Sequence, residues 1–317
     1  MKTLVRKATA ANISLAAHML SHGQLVAFPT ETVYGLGANA LDNNAVAKIF
    51  AAKKRPANDP LIVHVASQKM IKQVVAEVSP LAKKLMKKYW PGPLTLLFPK
   101  HKNLPLTVTA GLSTVAVRMP SHSVALALIK KSNVPLAAPS ANLFGRPSPT
   151  TASHVLNDLK NRIPLILDGG HTVIGVESTI LSLAEPCILR PGPITFEELK
   201  KLLPNLKEKV TGPARAPGML GKHYAPKTKV CLDNVLNLQG YQQKDQQGSG
   251  VLCTNPKHKH SVPSVYIGSK PEQEAKKLYA GLSALDKKGL RCIFVEPVSK
   301  KGIGRAVLDR LQRAAKE

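Results

Sequence analysis

Acidic residues are scarce in this sequence. The 317 residues hold 45 Lys and Arg against 19 Asp and Glu, a formal net charge of +26. The surplus divides evenly between residues 1–200 and 201–317, so no single basic tail accounts for it. Such a charge attracts polyanions and steers anionic substrates, but it identifies no nucleic-acid motif. Aromatic residues make up only 4%, so base stacking is poorly provided for. There are four cysteines, Cys187, Cys231, Cys253 and Cys292, far apart and with no CxxC pair. That argues against a disulfide framework and against a zinc site, and no metal ligands are assigned. No apolar run approaches the roughly 18–20 residues that span a bilayer. The N-terminal stretch carries Asn12, Ser14, His18 and His22, so it is not a secretory h-region. A cytoplasmic protein without membrane association is expected. There is no GxxxxGK[ST] loop, no GxGxxG run at a strand start and no Ser/His/Asp order of the hydrolase kind.

What is present is an ordinary apolar content of 44%, in a chain long enough for about two domains. Short β-rich runs alternate with helical patterns over the first two thirds. Strands are expected at 25–28, 61–65, 94–98, 115–118, 136–138 and 165–167, and a hairpin at 178–183 and 187–190 turning at Ala184-Glu185-Pro186. Helices are expected at 45–52, 80–89, 124–129 and 196–203, the last behind the N-cap Thr195. This is an α/β domain over residues 1–203. Residues 204–229 are rich in Pro, Gly and Lys and read as a linker. Residues 230–317 read as a smaller α/β domain, with strands at 230–232, 251–253, 265–267 and 293–295 and helices at 272–285 and 305–315. The Gln-rich patch at 238–250 reads as a loop.

The segments with chemistry lie at strand ends. Pro29-Thr30-Glu31-Thr32-Val33-Tyr34-Gly35-Leu36-Gly37 follows the strand at 25–28, with glycines that let backbone approach a ligand. Lys53-Lys54-Arg55-Pro56 closes a helix, where Arg55 can hold a phosphate bidentately and Lys53 can act as a point charge. His64 sits in an apolar strand and matters only if it shares a cavity with Thr32. Thr114, Ala116 and Arg118 fall on one strand face. Protein carboxylates being scarce, a ligand carboxylate is the expected partner of Arg118. The loop with Pro139-Ser140-Ala141-Asn142 and Ser148 offers hydroxyls and N–H groups to phosphates. Ser178 opens one strand and Arg190 ends the next. Hydroxyls, cations and one histidine suit ATP and an amino acid, with catalysis by placement and electrostatics.

In this order, PTETVYGLG (29–37), KKRP with PLIVHV (53–65), STVAVRMPSH (113–122), PLAAPSAN (135–142), SPT (148–150), GVESTI (175–180) and LRPGPI (189–194) resemble the YrdC-like threonylcarbamoyl-AMP synthases. Ala216-Pro217-Gly218-Met219 followed by His223-Tyr224-Ala225-Pro226 resembles the linker of that family's long, two-domain form. The resemblance implies a concave, twisted-sheet YrdC-like catalytic domain and a smaller Rossmann-like α/β domain. It implies synthesis of threonylcarbamoyl-AMP and pyrophosphate from L-threonine, bicarbonate or CO2, and ATP with Mg2+, the product feeding the threonylcarbamoyl-transfer machinery that modifies tRNA. Carried over position by position, Thr32, His64, Arg118, Ala138 and Ser178 contact threonine. Arg55, Thr114, Ser140, Ser148, Arg190 and Tyr224 contact ATP, and Lys53 and Arg55 are the catalytic cations. Many relatives have Asn where this chain has Asp59, an acid set among expected phosphate contacts. The rival readings are a carbamoyl-transferring hydrogenase maturation protein, whose CxxC motifs are missing here, a binder of structured RNA, and a stand-alone structural module, against which the hydroxyl and Arg cluster argues. Weak RNA binding is the partner reading that the charge alone suggests.

Overall fold

The computed structural model describes residues 1–207, 221, 223–232, 248–258 and 260–316. Ten strands form one mixed sheet: β1 (Leu4–Lys7), β2 (Val26–Phe28), β3 (Gly35–Asn39), β4 (Ile62–His64), β5 (Leu94–Pro99), β6 (Thr114–Arg118), β7 (Leu136–Ala137), β8 (Leu165–Asp168), β9 (Thr179–Ser182) and β10 (Cys187–Arg190). Their order is β1-β8-β2-β3-β7-β4-β6-β5-β9-β10. The central runs, such as Val115–Arg118 in β6 and Ile62–His64 in β4, are buried along their whole length, as expected of strands covered on both faces. β4 and β6 are parallel and set His64 opposite Arg118. The expected hairpin forms as the antiparallel pair β9–β10.

Two strands escaped the sequence pattern. β1 is exposed throughout and charged, so no apolar alternation marks it; Lys7 pairs with Asp168 on β8 at 2.7 Å. β3 contains Gly35 and Gly37 inside the motif read as a ligand-binding turn. A Cβ on Gly37 would lie 2.8 Å from the Phe28 ring, so that glycine admits a neighbouring strand's aromatic ring and not a ligand. The helices Ala10–Ser21, Gln68–Val74 and Ala152–Leu159 were also missed. Each starts behind a side-chain cap, Thr9, Ser67 and Thr151 respectively.

Four further strands, β11 (Lys229–Cys231), β12 (Ser249–Cys253), β13 (Ser264–Tyr266) and β14 (Cys292–Val295), make an all-parallel sheet in the order β11-β14-β12-β13. The helices Pro271–Asp286 and Gly304–Ala314 pack with it, burying Leu278, Leu282, Val307 and Leu311. The cysteine reading needs one correction. Cys231 and Cys292, on the adjacent strands β11 and β14, form a disulfide, while Cys187 and Cys253 take part in none. A separation of 61 residues leaves no local spacing to announce the pair. Ala216-Pro217-Gly218-Met219 and residues 238–247 of the Gln-rich patch lie outside the described residues. No helix among the described residues is long and apolar enough to cross a membrane.

The two sheets are joined through a shared apolar cluster. Val33, Val176 and Tyr224 belong to the same buried group as Leu278, Tyr279 and Val307. Gly175 makes this close approach workable. It has φ +91, and a Cβ there would meet the backbone of the helix Pro271–Asp286 at Ala275 and, at 2.5 Å, at Lys276. Gly111, with φ +81, has open space around the same position. Gly111→Ala is therefore expected to cost about 1–2 kcal/mol, from backbone conformation alone. Gly175→Ala is expected to cost clearly more, because the second domain must shift. Urea unfolding of the two variants tests this, and equal losses would show that the Gly175 contact is slack.

Candidate active site

The site is assembled where the ends of β2, β4, β6, β7, β9 and β10 meet a helix end. After β2, Thr30 folds the chain into a buried turn. Its Oγ1 accepts from the backbone N–H groups of Thr32 (3.2 Å) and Val33 (3.3 Å). The helix Asn43–Lys53 begins on the N-cap Asp42 and ends where Lys54 takes a left-handed conformation, φ 52. The Arg55 N–H returns to the Phe50 carbonyl at 3.0 Å, which swings the Arg55 side chain inward. There Arg55 donates to the carbonyls of Asp59 (3.1 Å) and Pro60 (2.8 Å) and pairs with the Asp59 carboxylate at 2.9 Å. That places Asp59, fully buried, as the counter-charge of Arg55. Asn58 beside it is exposed.

A cavity of about 50 Å³ lies between these elements. It is bounded by Thr32, Arg55, His64, Arg118, Ala138, Ser140, Ser178, Arg190 and Tyr224 among the residues chosen from sequence. His64 and Thr32 thus share a cavity, the condition on which the histidine's interest depended. Three chosen residues do not line it. Lys53 is buried behind the wall, its Nζ donating to the carbonyls of Ser140 (2.6 Å) and Asn142, so it shapes the Ser140 loop. Thr114 is half-buried at the start of β6, away from the lining. Ser148 turns its hydroxyl to Glu177 Oε1. The lining also includes Thr30, Pro139, Glu177 and His223, which sequence reasoning had not selected. The carboxylate in GVESTI and the histidine of His223-Tyr224 were visible in quoted motifs. Nothing in their spacing showed that they face inward.

Arg118 corrects the argument made for it from composition. Its partner is a protein carboxylate, Glu31, at 2.7 Å. Arg118 also donates to Thr32 Oγ1 at 3.0 Å and to the Gly92 carbonyl at 3.3 Å. Burial alone would raise the Glu31 carboxyl, but Arg118 overcomes this and holds it below its ordinary value. A guanidinium has five N–H donors, so these bonds orient Arg118 and leave capacity for a ligand oxygen. Arg190 is oriented similarly by Ser178, donating to its carbonyl from Nε (3.1 Å) and to its Oγ (3.1 Å).

Burial governs protonation here. It pushes His64 down to about 3, with the nearby Arg118 adding to the effect. It pushes His223 down to about 3 as well, with Arg55 next in importance. Both imidazoles are therefore neutral near pH 7, and the Nδ1 of each has no hydrogen-bond partner among the described residues. Burial also takes Lys53 well below the usual lysine range, reinforced by Arg55. Glu177 behaves differently. Burial would raise its carboxyl, yet Arg310 and Arg190, with hydrogen bonds from Ser148 and Arg310, hold it at about 2.

Glu177 is also where the second domain enters the site. Arg310, on the helix Gly304–Ala314, pairs with its Oε2 at 2.8 Å. The Tyr279 hydroxyl donates to the same carboxylate, with its oxygens at 2.9 and 3.1 Å. Tyr224 lies against both: its ring stacks on Tyr279, centroids 5.9 Å apart, and Arg310 stands 5.1 Å from its centre. Tyr224 has φ +63, and the Ala225 N–H is held by the Gly145 carbonyl at 2.7 Å.

The two neutral histidines give the fold an acid-sensitive term. Their native pKa lies below the ordinary 6.5. Between those values the unfolded chain binds protons that the native site refuses. This contribution is complete above about pH 6.5 and is lost as pH falls toward about 3. Urea unfolding at about pH 7 and pH 5 is expected to show a smaller acid loss for the His64→Gln, His223→Gln double variant than for the parent chain. Parallel losses would mean that the histidines titrate normally.

Both parts of the chain have relatives among known proteins. Residues 18–192 match the family described as "Telomere recombination", and residues 194–316 match the family described as "Threonylcarbamoyl-AMP synthase, C-terminal domain". A threonylcarbamoyl-AMP synthase of Pyrococcus abyssi is 44% identical over 96% of this chain and 94% of its own length. One of Bacillus subtilis is 45% identical over 96% of this chain and 92% of its own. The crystal structure of P. abyssi Sua5 complexed with L-threonine superposes with a TM-score of 0.90, at 42% identity, over 99% of this chain and 97% of that one. These matches favour the enzyme over the RNA-binding alternative, and with both domains matched at full length the chain belongs to the threonylcarbamoyl-AMP synthase family, in its two-domain form.

Proposed function

We propose that this chain joins L-threonine, bicarbonate or CO2, and ATP into threonylcarbamoyl-AMP, releasing pyrophosphate, and that the product supplies threonylcarbamoyl transfer to tRNA. The observation that carries this reading is the meeting of three buried guanidiniums, Arg55, Arg118 and Arg190, with the neutral His64 in one cavity. Such a set suits a substrate carboxylate and a polyphosphate together.

In this reading Arg118 receives the threonine carboxylate, sharing its donors with Glu31. Thr32, His64, Ala138 and Ser178 surround the rest of the amino acid, and a neutral imidazole can meet its amine or hydroxyl without adding charge. Arg55, Arg190, Ser140 and Tyr224 face ATP, with Thr114 and Ser148 on its outer reach. Lys53 acts by holding the Ser140 loop. ATP enters with Mg2+, the ion held by phosphate oxygens and water. Glu177, the one carboxylate among the described residues lining the cavity, is already committed to Arg310 and Tyr279. The threonine amine first adds to CO2 with loss of its proton to solvent, or to bicarbonate with loss of water, to give an N-carboxylate. A carbamate oxygen then attacks the α-phosphorus, and pyrophosphate leaves with its charge met by the arginines.

A cavity of about 50 Å³ has room for roughly three or four waters, and threonine and ATP do not fit it together. Substrate entry therefore requires His223 and Tyr224 to withdraw, and their return excludes water from the unstable carbamate. We assign residues 1–203 as the catalytic domain and 204–229 as the lid-bearing linker. Residues 230–317 are the domain that seats the lid through Tyr279 and Arg310.

Pyrophosphate release is expected only when threonine, bicarbonate and ATP are all present, with the adenylate detected by mass; release without threonine overturns the reading. Arg118→Ala is expected to raise the threonine KM by at least about tenfold while the ATP KM changes little. Equal losses would remove Arg118 from the carboxylate. Tyr279→Phe keeps the ring against Tyr224 and deletes only the hydroxyl on Glu177. It is expected to lower stability by about 1.5–3 kcal/mol and to reduce kcat. Unchanged kcat in a folded variant would separate the second domain from the lid.

A further inference from the structure

The second domain holds a group of side chains that the proposed reaction does not use. β12 ends at Cys253, and Glu296 directly follows β14, its parallel neighbour. Ligands of parallel sheets bind outside the carboxyl ends of the strands. His258 and His260, beyond the end of β12, come back to the same point. Glu296 is only 3% exposed. Its Oε2 accepts from the Thr254 and Asn255 N–H groups at 2.6 and 3.0 Å, which fixes the carboxylate. Its Oε1 meets His258 Nδ1 at 2.7 Å and His260 Nε2 at 3.1 Å. Cys253 Sγ, a ring nitrogen of His260 and a Glu296 oxygen all lie within 4.8 Å of one another.

We propose that Cys253, His260 and Glu296 bind a divalent cation of the zinc class, with water in the fourth position and His258 retained on Glu296 as an outer hydrogen-bond partner. Thiolate, imidazole and carboxylate together match zinc and its neighbours, whereas magnesium and calcium take oxygen ligands. The ligand atoms of a tetrahedral zinc stand about 3.3–3.7 Å apart, so a small contraction of the observed cluster completes the site. Binding replaces the Cys253 S–H proton by the metal–sulfur bond and releases that proton to solvent. The His258 side chain is half exposed while Cys253 and Glu296 are buried, so the cluster borders solvent on the His258 side. A hydrogen-bonded His–Glu–His pair alone would account for the imidazoles. It does not include Cys253, whose Sγ also donates to the Val251 carbonyl at 3.7 Å and forms the third side of the cluster. The cation would tie the end of β12 to the end of β14 in the domain that seats Tyr224. The site differs in place and chemistry from any magnesium carried by ATP.

The test uses the full chain, stripped of metal and kept without added thiol so that Cys231 and Cys292 stay paired. Zn2+ is titrated against a chromogenic chelator, and Co2+ is added to a second sample for spectroscopy. One equivalent is expected, with a near-ultraviolet cobalt–thiolate band and a rise in thermal midpoint with Zn2+. Cys253→Ser is expected to abolish the band and weaken Zn2+ binding more than about tenfold, and His260→Ala to weaken it similarly. Cys187→Ser is expected to change neither. Circular dichroism reports folding, and if Cys253→Ser is unfolded the more exposed His260→Ala decides. Absence of stoichiometric binding by the parent chain, or binding unaltered in a folded Cys253→Ser or His260→Ala variant, overturns the proposal.

Discussion

The buried carboxylate of Glu177 is the contact on which the two halves of this protein depend. It stands at the head of β9, beside Ser178 and Arg190, and receives Arg310, Tyr279 and Ser148 at once. A buried ion pair adds little net stability when complete, but losing one partner typically costs about 3–5 kcal/mol. The second domain is thus the counter-charge of the first and not an appendage. The same contact sets Tyr279 and Arg310 where they grip Tyr224. One carboxylate therefore couples the domain interface, the Arg190 strand end and the segment over the cavity.

The rest of the site follows from desolvation. Arg55, Arg118 and Arg190 are withdrawn from water and aimed by Asp59, Glu31 and Ser178. Low dielectric makes such fixed charges effective toward an incoming phosphate or carboxylate. It also keeps His64 and His223 neutral and makes Lys53 a poor cation. The chain's large positive charge is mostly elsewhere; the cavity is lined by three guanidiniums, Arg55, Arg118 and Arg190.

Much of this was legible in the sequence because the relevant residues sit at strand ends. Short β-rich runs marked β4, β5, β6, β9 and β10, and polar residues at the ends of β4, β6, β9 and β10 lie in one cavity. The parallel register of β4 and β6 explains why His64 and Arg118, distant in the chain, stand side by side. What was not legible came from long-range partners. Lys53 looked like a phosphate contact at a helix end, yet its amine is bound to backbone carbonyls some ninety residues away. Glu177 looked like one acid in a hydroxyl-rich strand start, because Arg310 is 133 residues distant. Gly37 looked like a ligand turn, because the ring that needs its space belongs to another strand. Burial and partner identity are properties of the assembled sheet, and local pattern is blind to both.

The pairing of Arg118 with Glu31 bears on selectivity. A bare cation would capture any anion that reached it. A cation already paired with an internal carboxylate offers a guest only its remaining N–H donors, and gains less from a second anion than a bare cation would. Discrimination then has to come from the remainder of the guest, which on the proposed assignment meets Thr32, His64 and Ala138. On the proposed assignment, the resident Glu31 turns a general anion trap into a reader of side chains.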